Sequence, residues 1–228
     1  MWTRLLTLLL VLGTTSSLAS ASVFVQAKMC ADAATASMIT CTFDAATQAG
    51  NTMIVSTAYM TGTVTAITFS DNLGGHWEPI ITQVGAPVAG KGGAMARGKV
   101  GYSGITTVTA TLTNSETPDA HGLCLLEYRG INRDVPPDIS ASNSQTTPGA
   151  GTDAVTSTAV VTTLDREIVV GALWNVETVD VNISAGTNWT ARAEQTTGAV
   201  VRGICEELVK TTAGSIAATG TLSSGTTV

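Results

Sequence analysis

The chain has 228 residues, of which 44% are hydrophobic and only 12% charged, with eleven basic against seventeen acidic residues and a net charge of −6. Soluble domains are typically about 25% charged. The basic residues form no run anywhere, which disfavours both nucleic-acid binding and attraction to an anionic membrane surface. The apolar content is too high, and too regularly spaced, for a disordered chain.

At the N-terminus Arg4 precedes an apolar core from Leu5 to Leu12, followed by small polar residues and Ala19-Ser20-Ala21. This is the pattern of a secretory signal peptide, with cleavage expected after Ala21. The apolar core is too short for a membrane-spanning helix, which needs about 20 residues, and no later segment is long and apolar enough to span. A retained anchor is the alternative that the small-residue cleavage pattern disfavours. Residues 1–21 are thus expected to be a leader, and residues 22–228 a secreted β-sandwich domain without a membrane span.

Threonine and β-branched residues dominate residues 22–228, and Gly, Asn, Asp and Pro interrupt the chain at short intervals, which predicts many short strands and no helix. In chain order the expected strands are 22–27, 37–43, 52–60, 63–70, 76–84, 94–102, 105–113 and 121–129. After them come 138–143, 155–162, 167–175, 187–195, 199–210 and 214–222. Met53-Ile54-Val55 and Ile168-Val169-Val170 are continuous apolar runs, as expected of central strands covered on both faces. In 105–113, Val108, Ala110 and Leu112 alternate with a hydroxylated face formed by Ile105, Thr107, Thr109, Thr111 and Thr113, the signature of a half-buried antiparallel strand. Asn72-Leu73-Gly74-Gly75 reads as a turn. The fold class predicted is all-β, an antiparallel two-sheet sandwich of jelly-roll or immunoglobulin-like type.

The Pro-, Gly- and Ser-rich stretch 134–151 separates two pseudo-halves, 22–133 and 152–228. Met53-Ile54-Val55, Trp77, Arg97-Gly98 and the strand ending at Leu112 are echoed in order by Ile168-Val169-Val170, Trp189, Arg202-Gly203 and the strand ending at Leu222. The spacing predicts an internal pseudo-repeat. In the first half an apolar strand, 121–129, comes next; the second half ends without one. A strand is therefore expected to be missing beside 214–222, through truncation or because a neighbouring chain supplies it across an open sheet edge.

Four cysteines lie beyond the leader, an even count that favours disulfides in a secreted chain. Cys30 and Cys41 flank a short polar connection and are expected to bridge. Cys124 and Cys205 lie in apolar runs and are either a second, buried bridge or two core thiols.

Candidate sites are few. Trp174, Tyr59 and Tyr102 are the aromatic residues that could stack on sugar rings if exposed, whereas Trp77 and Trp189, at echoed positions, suit the core. His76 and His121 lack any nucleophile-elbow context. Glu206 and Glu207 are adjacent and face opposite ways on a strand, while Glu127 and Glu206 could approach across strands. No cofactor is implied; oxygen ligands for Ca²⁺ could come only from Asp71 and Asn72 or from Asp134 and Asp138, for which turn capping is the ordinary role.

Ala49-Gly50-Asn51 with its apolar strand, TFSDNLGGHW at 68–77, Tyr102, TTVTATLTNS at 106–115 and LLEYRGI at 125–131 together resemble a secreted bacterial β-sandwich module that recurs in extracellular and surface proteins. Its pattern runs AGN-LLVV, SVTDSAGNTW, a tyrosine, VTVTFS and EYSG. The resemblance implies a sandwich fold and an extracellular location rather than an activity. It also implies a final apolar strand, which this chain lacks. The functions expected are a structural, adhesive or surface module, then a carbohydrate-binding module, then a secreted hydrolase. The expected partners are a polysaccharide or a second copy joined through an open sheet edge.

Overall fold

The computed structural model describes residues 3–12, 22–32, 36–60, 63–83, 90–101, 103–114, 120–132, 134, 136–147, 152–176, 181–195 and 201–224. Among these residues there are eighteen strands and no helix. The first nine are β1 (Thr3–Leu12), β2 (Val23–Asp32), β3 (Met38–Thr42), β4 (Thr52–Met60), β5 (Val64–Asp71), β6 (Trp77–Gln83), β7 (Lys91–Lys99), β8 (Thr107–Asn114) and β9 (Ala120–Arg129). The rest are β10 (Ile139–Thr147), β11 (Thr152–Thr156), β12 (Val160–Thr162), β13 (Glu167–Asn175), β14 (Val181–Ala185), β15 (Thr190–Gln195), β16 (Arg202–Lys210), β17 (Gly214–Ile216) and β18 (Thr219–Ser224).

The protein is all-β and its sheets are antiparallel. Two five-stranded sheets run β2-β9-β4-β7-β6 and β10-β1-β13-β16-β15. Two three-stranded sheets run β3-β8-β5 and β11-β18-β14, and β12 pairs with β17.

The core shows how these sheets are layered. One cluster joins Ile54, Ala58, Met95, Leu126 and Tyr128 to Ile168, Val170, Trp174 and Cys205, so the five-stranded sheets pack face to face. β15 lies over β2, β16 over β9, β1 over β7 and β10 over β6. On the outer side of the first sheet, Met53, Val55 and Leu125 meet Ile39, Val108 and Ala110 of the β3-β8-β5 sheet. On the outer side of the second, Leu173 and Ile204 meet Val155, Ile183 and Leu222, and Val169 meets Trp189 and Ala218. The result is four layers where the sequence suggested two.

β4 and β13 sit mid-sheet in the inner layers, and every residue of both is buried. That is why their sequences are continuous apolar runs: even-numbered Ile54, Ala58 and Met60 face one core and odd-numbered Met53 and Val55 another, as the period of two requires. β8 keeps the expected alternation, with Val108, Ala110 and Leu112 buried. Ile105 departs from it: it lies before the strand begins and is buried in the outer core.

Trp174 fixes the spacing of the inner layers. It is fully buried, and its Nε1 donates to Ser56 Oγ of the facing sheet at 2.9 Å. Glycines make room for its ring. A Cβ at Gly122 or Gly203 would come within 2.3 or 2.4 Å of it. Trp77 repeats the device on the outer side, lying over Gly98. Trp174→Ala should lower unfolding free energy by about 3–5 kcal/mol through the cavity left behind. Gly122→Ala should cost about 1–3 kcal/mol through overpacking. Gly101, around which a Cβ meets nothing within 4 Å, should tolerate Ala within about 0.5 kcal/mol; chemical denaturation of the three variants orders them.

Candidate functional site

Trp174 and Tyr59, expected as exposed stacking residues, are both fully buried. They stand at matching places near the ends of β13 and β4, each against a covered face, so neither offers a ring to a ligand. Tyr102 lies outside the described residues. Trp189 is buried and Trp77 partly so, in keeping with a core role.

Both cysteine pairs are disulfides, Cys30–Cys41 and Cys124–Cys205, and no cysteine is free. The first joins β2 to the outer sheet at β3. The second crosses the central core from β9 to β16, so Cys124 and Cys205 are a bridge and not two core thiols.

The histidines do not meet. His121 is buried on β9, opposite Tyr59 and Asp32; burial lowers its pKa, against the pull of the Asp32 carboxylate and the Ala36 backbone. His76 is exposed and lines an open cleft of about 220 Å³ with Leu73, Gly74, Gly75, Lys99 and Ile105. Neither cleft nor core brings a histidine against a serine nucleophile among the described residues.

The Ca²⁺ candidates are occupied by turns. Asp71 Oδ1 accepts from the backbone N–H groups of Leu73 and Gly75, and its Oδ2 from Trp77 Nε1. Asn72 Oδ1 accepts from Thr106 and Thr107, and Asp138 from the backbone and hydroxyl of Thr163. Asp134 pairs with Lys99 at 3.6 Å. Among the described residues no three His, Cys, Asp or Glu side chains converge.

The buried carboxylates are the groups that spacing alone could not place. Glu127 accepts from Gln26 Nε2 at 2.6 Å, from Asn51 Nδ2 at 2.6 Å and from the Gln48 backbone at 3.0 Å. This gives the AGN and EYR segments a physical connection: Asn51 ties the start of β4 to the end of β9. Glu206 faces the outer layer on the other side of the molecule, where the Gly186 N–H donates to its Oε2 at 3.2 Å. Glu127 and Glu206 therefore point away from each other across the central core and form no acid–base pair. Glu207, on the opposite face of β16 from Glu206, pairs with Arg192, whose guanidinium lies 4.1 Å from the centre of the Phe24 ring. Burial, then the nearby Glu207 carboxylate, pushes the Tyr128 hydroxyl well above its ordinary range.

Residues 3–12, which lie within the expected leader 1–21, form β1 inside the second five-stranded sheet of the full chain. β1 pairs with β13 from Leu5↔Asn175 to Leu12↔Ile168 and with β10 from Thr3↔Thr147 to Val11↔Ile139. Within the expected strand 214–222, β18 is the middle strand of its sheet, between β11 and β14, whereas β17 pairs with β12 alone. Between β10 and β13 the described residues of 22–228 supply no strand, and β1 fills that slot. In the other five-stranded sheet, β9 has the corresponding place between β2 and β4. The likeness of Leu8-Leu9-Leu10-Val11 to Leu123-Cys124-Leu125-Leu126 is visible in the sequence, but the export pattern accounts equally for an aliphatic run at that position.

One part of the echo between halves fails on register. Arg97 lies opposite Ile54, near the start of β4, while Arg202 lies opposite Asn175, at the end of β13. The two Arg-Gly pairs are not equivalent.

Comparison with protein-family models, curated proteins and solved structures finds no match. The likeness to a secreted sandwich module thus stands on the segments quoted for it alone.

Burial raises the Glu206 carboxyl to about 8, and burial with the neighbouring Asp138 carboxylate raises Glu167 to about 7. Both groups hold a proton more tightly folded than unfolded. Their contribution is fully present below the ordinary carboxylate range and is lost as pH rises through about 7 and about 8. Unfolding free energy should fall between about pH 5 and about pH 9, by at most about 1.4 kcal/mol per pH unit for each group. Glu206→Gln should flatten the upper part of that slope in urea titrations; an unchanged slope removes Glu206 as its source.

Proposed function

We propose that this chain is a secreted structural module of an extracellular or cell-surface assembly, acting through its shape and its sheet surfaces. The observation that carries the proposal is the use of all four cysteines in disulfides, one of them across the central core. Disulfides persist in oxidising compartments and are rare in the cytosol. The Arg4, Leu5–Leu12 and Ala19-Ser20-Ala21 pattern supports the same location. The low charge density and the absence of a long basic run suit a scaffold better than a charged-ligand binder. Glycan binding is a weaker second proposal, because Trp174 and Tyr59 have lost their stacking faces to the core.

Expression in a cell with an intact export pathway, followed by fractionation and N-terminal sequencing, tests the location. The expected product is extracellular or surface-bound and begins at Ser22. A cytosolic product that keeps Met1 overturns the proposal. Intact mass after alkylation under denaturing, non-reducing conditions should show no modified thiol. Cys205→Ser should lower stability by about 2–5 kcal/mol, the usual range for loss of a native bridge, and leave Cys124 open to alkylation.

A further inference from the structure

The slot between β10 and β13 is held by the one strand whose sequence also marks it for removal. We propose that export opens this slot and that it then acts as a strand-acceptor site, taking an extended aliphatic segment of about ten residues from another polypeptide. The proposal rests on residues 1–21 being a cleaved leader.

The slot is built on both sides. β13 offers a ladder of eight register positions, Ile168 to Asn175, and β10 a ladder from Ile139 to Thr147. Without β1, β10 has no strand neighbour in its sheet and β13 keeps only β16. Facing layers lie over β13 on both sides, through Val170 and Trp174 in the central core and through Val169 and Leu173 on the outer side, and a freed N–H or C=O group that those layers keep from water costs about 1–3 kcal/mol. An occupant that restores the ladder removes that cost, which is the source of affinity in strand addition.

The first half shows what such a place accepts. β9, between β2 and β4, is buried from Ala120 to Tyr128 and presents Leu123-Cys124-Leu125-Leu126 opposite Thr57 to Ile54. β1 presents Leu8-Leu9-Leu10-Val11 opposite Ala172 to Val169. Both strands are aliphatic at their centres and run antiparallel to the covered strand. The occupant must therefore be uncharged over its middle, free of proline and antiparallel to β13, because a charge in a doubly covered strand is desolvated without a partner.

Among the described residues, the aliphatic runs at Met53–Val55, Leu123–Leu126 and Ile168–Val170 are already internal strands, so a second copy could donate one of these only by dismantling its own sheet. The proposed donor is therefore a different polypeptide with a free aliphatic strand.

The test uses the full chain with a protease site placed between Leu12 and Val23. The chain is folded and oxidised, then nicked. A fluorescent peptide with the sequence of residues 3–12 and lysine tails for solubility is added in excess. A control peptide carries Leu8→Asp and Leu10→Asp. Native mass spectrometry should show the labelled peptide replacing the nicked fragment at one per chain, with the control at least about 100-fold weaker. Failure of the peptide to enter overturns the proposal, whether or not the nicked fragment leaves, and so does equal binding of the control. N-terminal sequencing of the exported product tests leader removal separately, so the two proposals fail independently.

Discussion

A β-strand that is apolar on both faces has no side it can turn to water, and this chain contains β4 and β13 of that kind. Each must be covered above and below. Packing the two against each other through their sheets satisfies one face of both at once, and an outer sheet then satisfies each remaining face. Four layers result from that requirement, with the doubly covered β4 and β13 inside and the threonine-bearing β3, β8 and β18 outside.

The inner layers are held in register by a small number of unlike contacts. Trp174 inserts between glycines of two different strands and reaches Ser56 of the facing sheet. The Cys124–Cys205 bridge crosses the same core. At one margin, Arg192 lies over Phe24 while pairing with Glu207, which seats β15 over β2. Polar groups that the layering buries are treated unequally. Glu127 is satisfied by three donors from two segments and serves as a clamp. Glu206 receives fewer, and burial raises its carboxyl to about 8.

Whatever depends on local pattern is legible in the sequence. Continuous apolar runs mark the doubly covered strands, the Val108, Ala110 and Leu112 alternation marks a half-buried one, and the Asn72–Gly75 turn falls where the glycines put it. Features that depend on which strands meet at long range are not legible there. Trp174 and Tyr59 look like ligand residues at strand ends until a facing sheet is placed over them. β14 escapes a reading by pattern because Val181 and Ile183 give only two apolar steps between turn residues. Expected strands over 155–162 and 214–222 are each two shorter strands, since β11 and β12 pair with β18 and β17 separately. The hardest case is β1: an export signal and an inner β-strand require the same aliphatic composition, and composition cannot distinguish them.

The pairing of β1 also sets an order of events during synthesis. The first half closes on itself: β2 to β9 pair only with one another and are finished once residue 129 has emerged. β1 is made first, yet its partners lie at residues 139–147 and 168–175. Ladders between segments so far apart form late, because the intervening chain must be ordered before they gain anything. The N-terminal aliphatic segment must therefore remain unpaired through most of translation. An exposed segment of that composition is prone to aggregate. An export receptor that bound the segment as it appeared, as the proposed secretion implies, would shelter it through that interval, and cleavage would then remove it before β10 and β13 could take it in.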